Sequence, residues 1–81
     1  MRVVREIPHP EFKISLFSWN NRYLIKLEQG LLEQTFKVSE TDVTGDADVI
    51  ALLDEEFLER ASRRFEEMGQ SLYDAFNRNG F

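Results

Sequence analysis

The stretch Phe12-Lys13-Ile14-Ser15-Leu16-Phe17-Ser18-Trp19-Asn20-Asn21-Arg22-Tyr23-Leu24-Ile25-Lys26-Leu27-Glu28 decides the fold. Phe12, Ile14 and Leu16 alternate with Lys13 and Ser15, the two-residue period of a half-buried strand. Asn20-Asn21 interrupts the run, and asparagine tolerates the positive φ that a two-residue primed turn demands. With that turn as the tip, Leu16 faces Ile25, Ile14 faces Leu27 and Ser18 faces Tyr23 on one side. Lys13 faces Glu28 and Phe17 faces Leu24 on the other. Apolar partners meet on one face and an opposite-charge pair falls on the other, so pattern and turn specify the same hairpin.

Outward from the hairpin, Gln29-Gly30 predicts a second turn. A two-residue loop there pairs Leu27 with Leu32, Tyr23 with Phe36 and Lys26 with Glu33. A four-residue loop preserves the parity, whereas a three-residue loop with a glycine bulge would set Lys26 against Leu32. An even loop makes Phe12, Ile14, Leu16, Tyr23, Ile25, Leu27, Leu32, Phe36 and Val38 the core face. The opposite face carries Phe17, Trp19 and Leu24 among charged residues. Either the amino-terminal strand, a loop or the chain end covers these three, or they form a contact patch. A stacking site at Trp19 lacks convergent polar groups.

Upstream, residues 2–7 read as a further strand stopped by Pro8-His9-Pro10, since each proline removes a backbone donor. The predicted strands are therefore about 2–7, 11–19, 22–28 and 31–38. An acidic connection at 39–48 leads into a helical region at about 47–78. Residues 39–56 hold Glu40, Asp42, Asp46, Asp48, Asp54, Glu55 and Glu56 and no base. Asp46 or Asp48 is expected to cap a helix through Val49 and Leu53, and acid at any helix start is favourable.

The apolar positions Leu58, Ala61, Phe65, Met68, Leu72 and Phe76 recur at spacings of three and four, and Ile50, Leu53 and Phe57 extend the stripe backwards. Asn79-Gly80 is a credible stop. A single helix over 55–78 would span about 35 Å, against about 25 Å for strands of seven or eight residues. Either it breaks, with Gly69 the weak point, or its end overhangs the sheet and packs on another copy.

These readings give one small α+β domain over residues 1–81, a three- to four-stranded antiparallel meander followed by a short helix and a long amphipathic one. Charged residues at 31% and hydrophobic residues at 42% are a globular composition. The chain has no cysteine and one histidine, which excludes disulfides, thiolate nucleophiles and cysteine-ligated zinc. No apolar run approaches a membrane span, and the absence of targeting signals implies a cytoplasmic protein. A net charge of −5 disfavours non-specific nucleic-acid binding.

Neither a phosphate-binding glycine loop nor a dinucleotide fingerprint is present, and no cofactor is implied. His9 reads as a turn residue, Arg60, Arg63 and Arg64 as a solvated helix face. The spacing of Asp42, Asp46 and Asp48 fails the calcium-loop pattern, because Gly45 precedes two of the three acids. What remains is a non-catalytic protein-interaction module that self-associates as a homodimer or docks on another protein. Its expected interface is Phe17, Trp19, Leu24, Met68, Leu72 and Phe76, and its acidic docking surface Asp42, Asp46, Asp48 and Glu55. The alternatives are a nucleic-acid-binding module in which the fold gathers Arg60, Arg63, Lys13 and Lys26, and an accessory domain of a larger enzyme complex.

Overall fold

A computed structural model describes residues 1–81. Strands β1 (Arg2–Ile7), β2 (Lys13–Trp19), β3 (Arg22–Gln29) and β4 (Leu32–Ser39) form one antiparallel sheet in the order β1-β2-β3-β4. A 3₁₀ turn (Glu40–Asp42), helix α1 (Asp46–Leu52) and helix α2 (Glu55–Arg78) follow. This is the expected four-stranded meander with a short and a long helix.

The central hairpin has the register its pattern dictates. Ile14 pairs with Leu27, Leu16 with Ile25, Phe17 with Leu24, Ser18 with Tyr23 and Lys13 with Glu28. Asn20 and Asn21 both take positive φ, 52° and 61°, the requirement of a type I′ turn.

The second turn differs from expectation. Its tip is Gly30-Leu31, not Gln29-Gly30, and Gln29 pairs with Leu32. Leu27 therefore meets Gln34, Tyr23 meets Val38 and Glu28 meets Glu33. The slip is two residues, so each side chain keeps its face. The physical reason lies at the tip: Gly30 has φ +58° and Leu31 does not take positive φ. That arrangement puts glycine at the one position of a type II′ turn that needs it.

On the other flank, β1 pairs with β2 through a bulge between Val3 and Arg5. The extra residue lets Val4 pack against the core while Val3 stays opposite Phe17 on the outer face.

One face of this sheet makes the core. Phe12, Ile14, Leu16, Tyr23, Ile25 and Leu27 bury against Val49 of α1 and Ala61 and Phe65 of α2. The Phe12 and Phe65 rings lie 5.5 Å apart, and Phe36 meets Phe57 edge-on at 5.1 Å. Only 11 of 81 residues are buried, so loss of one large core side chain would remove a sizeable fraction of the packing.

The helix caps partly depart from the sequence reading. Gly45 is the N-cap of α1 and offers no side chain. Asp48 instead reaches back to Thr44, accepting from its backbone N–H at 2.8 Å and its hydroxyl at 2.6 Å. Asp54 caps α2 by accepting from Phe57 N–H at 2.8 Å. At the other end Gly80 takes φ +74°, Gly80 N–H donates to Asn77 O and Phe81 N–H to Phe76 O. These are the two bonds of a Schellman motif, accompanied by contact between the Phe76 and Phe81 rings at 5.9 Å.

Helix α2 does not break at Gly69. Twenty-four residues run unbroken from Glu55 to Arg78, and the molecule extends 48 Å along its long axis. A Cβ added at Gly69 would meet only Leu32 Cδ1, at an ordinary 3.6 Å. Gly69→Ala is accordingly expected to raise stability by about 1 kcal/mol through the lower entropy cost of ordering alanine in a helix, read as a shift of the urea midpoint at constant slope.

Candidate interaction surface

Two apolar surfaces remain uncovered. The first belongs to α2. Its stripe starts against the sheet with Phe57, Ala61 and Phe65, and Met68 is still half-buried. Beyond Gly69 the sheet has ended. Leu72 is 48% exposed, Phe76 47% and Tyr73 62%. Between this segment and β4 runs an open groove of about 700 Å³ that includes Leu32, Gln34, Arg64, Met68 and Leu72.

The floor of the groove is polar by construction. Gln34 is buried on the core face beside Leu32 and Phe36, and the shifted register sets it opposite Leu27. Its amide donates to Ala61 O at 2.9 Å and accepts from Arg64 Nε at 2.9 Å. The Arg64 guanidinium in turn lies 5.7 Å from the centre of the Phe36 ring. Both ends of the amide are thus satisfied, and Arg64 is fixed along the groove rather than left on a solvated helix face.

The second surface is the outer face of the sheet. Strand β1 widens the sheet sideways and does not cover it, and both helices pack on the opposite face. Val3, Phe17, Leu24 and Lys37 form one row across all four strands. Trp19, opposite Arg22, is 50% exposed at its end. Phe17 and Leu24 are half-buried by one another and by their strand neighbours. The remaining rows are charged, with Lys26 3.3 Å from Glu33 and Lys13 3.8 Å from Glu6.

The acidic residues divide by role. Asp46 accepts from the Tyr23 hydroxyl at 2.7 Å and lies 3.6 Å from Arg2, tying α1 to the sheet. Asp48 serves Thr44. Asp42 and Glu55 stay exposed on separate elements. No three acidic or histidine side chains converge into a metal-holding cluster.

The basic residues likewise do not gather. Arg60 pairs with Glu56 at 3.1 Å and Arg63 with Glu59 at 2.6 Å on α2, whereas Lys13 and Lys26 lie on the outer sheet face. His9 closes its turn by accepting from Glu11 N–H at 3.1 Å, and its ring stacks on Phe12 at 4.2 Å. No helix is long and apolar enough to cross a membrane.

Two groups are displaced from their ordinary ionisation. The hydrogen bond to Asp46, then burial and the Asp46 charge, raise the Tyr23 phenol above its usual 10.0. Hydrogen bonds from the Thr44 hydroxyl and N–H hold Asp48 below 3.8. No protein-family model, curated protein or solved structure matches this chain.

Gln34→Ala strands Ala61 O and Arg64 at a buried site, and is expected to cost about 1–3 kcal/mol in urea unfolding, whereas Thr35→Ala on the exposed side of the same strand stays near wild type. For Tyr23, the raised folded-state pKa means its contribution is complete below pH 10.0 and is lost as pH rises through the folded value. Asp48 has the opposite sense: its contribution holds above 3.8 and disappears as pH falls through the lowered value. In thermal melts against pH, Tyr23→Phe should flatten the alkaline limb and Asp48→Asn the acid limb.

Proposed function

We propose that this chain is a non-catalytic protein-interaction module that works as a homodimer through the free end of α2. One observation supports the reading above the rest. The stripe that buries Ala61 and Phe65 against the sheet continues through Leu72 and Phe76 beyond the sheet's reach, and these residues remain about half exposed.

Burying a leucine or phenylalanine side chain contributes roughly 1.5–3 kcal/mol. Leu72 and Phe76 are each about half exposed, so the overhangs of two copies supply roughly half of that per side chain, summed over four side chains. The Schellman closure at Gly80 and the packing of Phe81 on Phe76 hold the helix end in shape before any partner arrives. Less ordering entropy then opposes association. The groove beside β4 supplies a concave surface next to the protruding ridge, as a self-complementary contact requires.

Leu72→Asp with Phe76→Asp is the direct test. The wild-type chain is expected to elute as a dimer by size exclusion with light scattering at about 100 μM, and the double variant as a monomer. Both side chains stand clear of the core, and because Phe76→Asp also removes the Phe81 contact, circular dichroism of the variant establishes that the fold persists while the dimer is lost. A wild-type chain that stays monomeric at that concentration rules the reading out.

A further inference from the structure

The two edges of the sheet are not equivalent. Strand β1 carries a bulge at Val3–Arg5 and is followed by Pro8, devices that blunt an edge against pairing. Strand β4 has neither. All eight of its residues pair with β3 in unbroken register, and no strand lies on its far side. Its outward hydrogen-bonding groups can be assigned. Gln29 and Leu32 close the two-residue turn, and at the other end Glu40 N–H donates to Asn21 O at 3.2 Å. Even-numbered residues therefore bond towards β3, and Glu33, Thr35, Lys37 and Ser39 present their N–H and C=O groups away from it.

We infer that β4 pairs antiparallel with β4 of a second copy about a two-fold axis at Thr35, giving an eight-stranded sheet. This pairing rests on the homodimer reading and gives it a register. With Thr35 opposite Thr35 of the second copy, Glu33 stands opposite Lys37 and Lys37 opposite Glu33. All three are pairs of outward-bonding residues, so the ladder closes without leaving a donor or acceptor misdirected.

Charge then selects this register. A slip that centres the axis on Glu33 sets two glutamates face to face, and one that centres it on Lys37 sets two lysines face to face, both destabilising. The intermediate slips lose the ion pairs. Edge charges that would discourage a foreign strand are thereby complementary to their own copy.

The same axis sets where the two helices lie. Helix α2 runs antiparallel to β4, with Phe57 against Phe36, Ala61 bonded to Gln34 and Gly69 beside Leu32. Pairing about Thr35 puts Leu32 opposite Val38 of the second copy, at the end where that copy's α2 begins. The first turns of the two helices, around Phe57 and Ala61, then lie level with one another, and the segment carrying Leu72 and Phe76, beyond Gly69, runs out past the start of the second copy's α2.

The test is a charge exchange. In a dimer of the Glu33→Lys variant both cross-strand pairs become lysine against lysine, and in a dimer of the Lys37→Glu variant both become glutamate against glutamate. Each variant alone is therefore expected to weaken the dimer by at least about tenfold. Mixed in equal amounts, the two variants should form a heterodimer of near wild-type affinity, since every cross-strand pair is again opposite in charge. Circular dichroism of each variant establishes that it is folded. Because the chain has no native cysteine, Thr35→Cys adds an independent readout. Directly opposed residues of an antiparallel pair lie about 5.5 Å apart at Cα, within disulfide reach, so this variant should oxidise to a covalent dimer. Dimers that ignore both charge changes, or fail to re-form on mixing, or do not cross-link at residue 35, overturn the β4 register while leaving self-association through α2 standing. A monomeric wild-type chain overturns both.

Discussion

A 24-residue helix lies on a sheet whose longest strands have eight residues, and most of the surface character of this molecule follows from that mismatch. At 1.5 Å per residue the helix needs about 36 Å, and strands of this length provide about 26 Å. Amphipathic patterning nevertheless continues to the end of the helix. Its early turns satisfy the pattern internally, with Phe57, Ala61 and Phe65 on the sheet, and its last turns have no internal surface to meet. A glycine at residue 69, where sheet contact ends at Leu32, would be the natural place to fold the excess back. Continuous hydrogen bonding and the cooperative cost of starting a new helix favour carrying straight on.

Legibility in the sequence tracks how many constraints act on each element. The central hairpin is readable because turn chemistry at Asn20-Asn21, apolar alternation and the Lys13–Glu28 pair converge on one register. At the second turn the pattern determines only parity. A shift of two residues keeps Leu32, Phe36 and Val38 on the core face, so hydrophobicity is indifferent to it, and the choice falls to the single residue that takes positive φ, Gly30. The β1 bulge is hidden for a related reason, since no local pattern announces which of Val3 and Val4 must turn inwards. Gln34 is hidden because its partners, Ala61 O and Arg64, lie roughly thirty residues away in sequence.

For the candidate surface, Met68, Leu72 and Phe76 are legible from the sequence, because helix period and strand length can be compared on paper. Sequence charge is a poorer guide. Seven acids in residues 39–56 look like a docking surface, yet Asp46, Asp48 and Asp54 are engaged in bonding Tyr23, Thr44 and the start of α2. Arg60 and Arg63 are likewise engaged with glutamates one turn away, and Arg64 with Gln34. Counting charge along a chain overstates what is available to a partner whenever caps and four-residue spacings consume it.

The two apolar surfaces are unequal as interfaces. On the outer sheet face Phe17 and Leu24 already shield each other across the strands, and the open apolar residues, Val3 and Trp19, stand apart from one another on β1 and at the end of β2. Trp19 is more open but stands at the margin beside Arg22. The end of α2 is a convex ridge in which Leu72 and Phe76 lie one turn apart on the same side, next to a groove and to a strand edge with neither bulge nor proline. Apolar area and the unpaired groups of an edge without a bulge thus occur together along β4 and α2. Hydrophobic association there is non-directional, whereas the strand edge admits few geometries and its charges select among them. Burial through α2 can supply affinity, and Glu33 with Lys37 can supply the register that keeps such an edge from pairing indiscriminately.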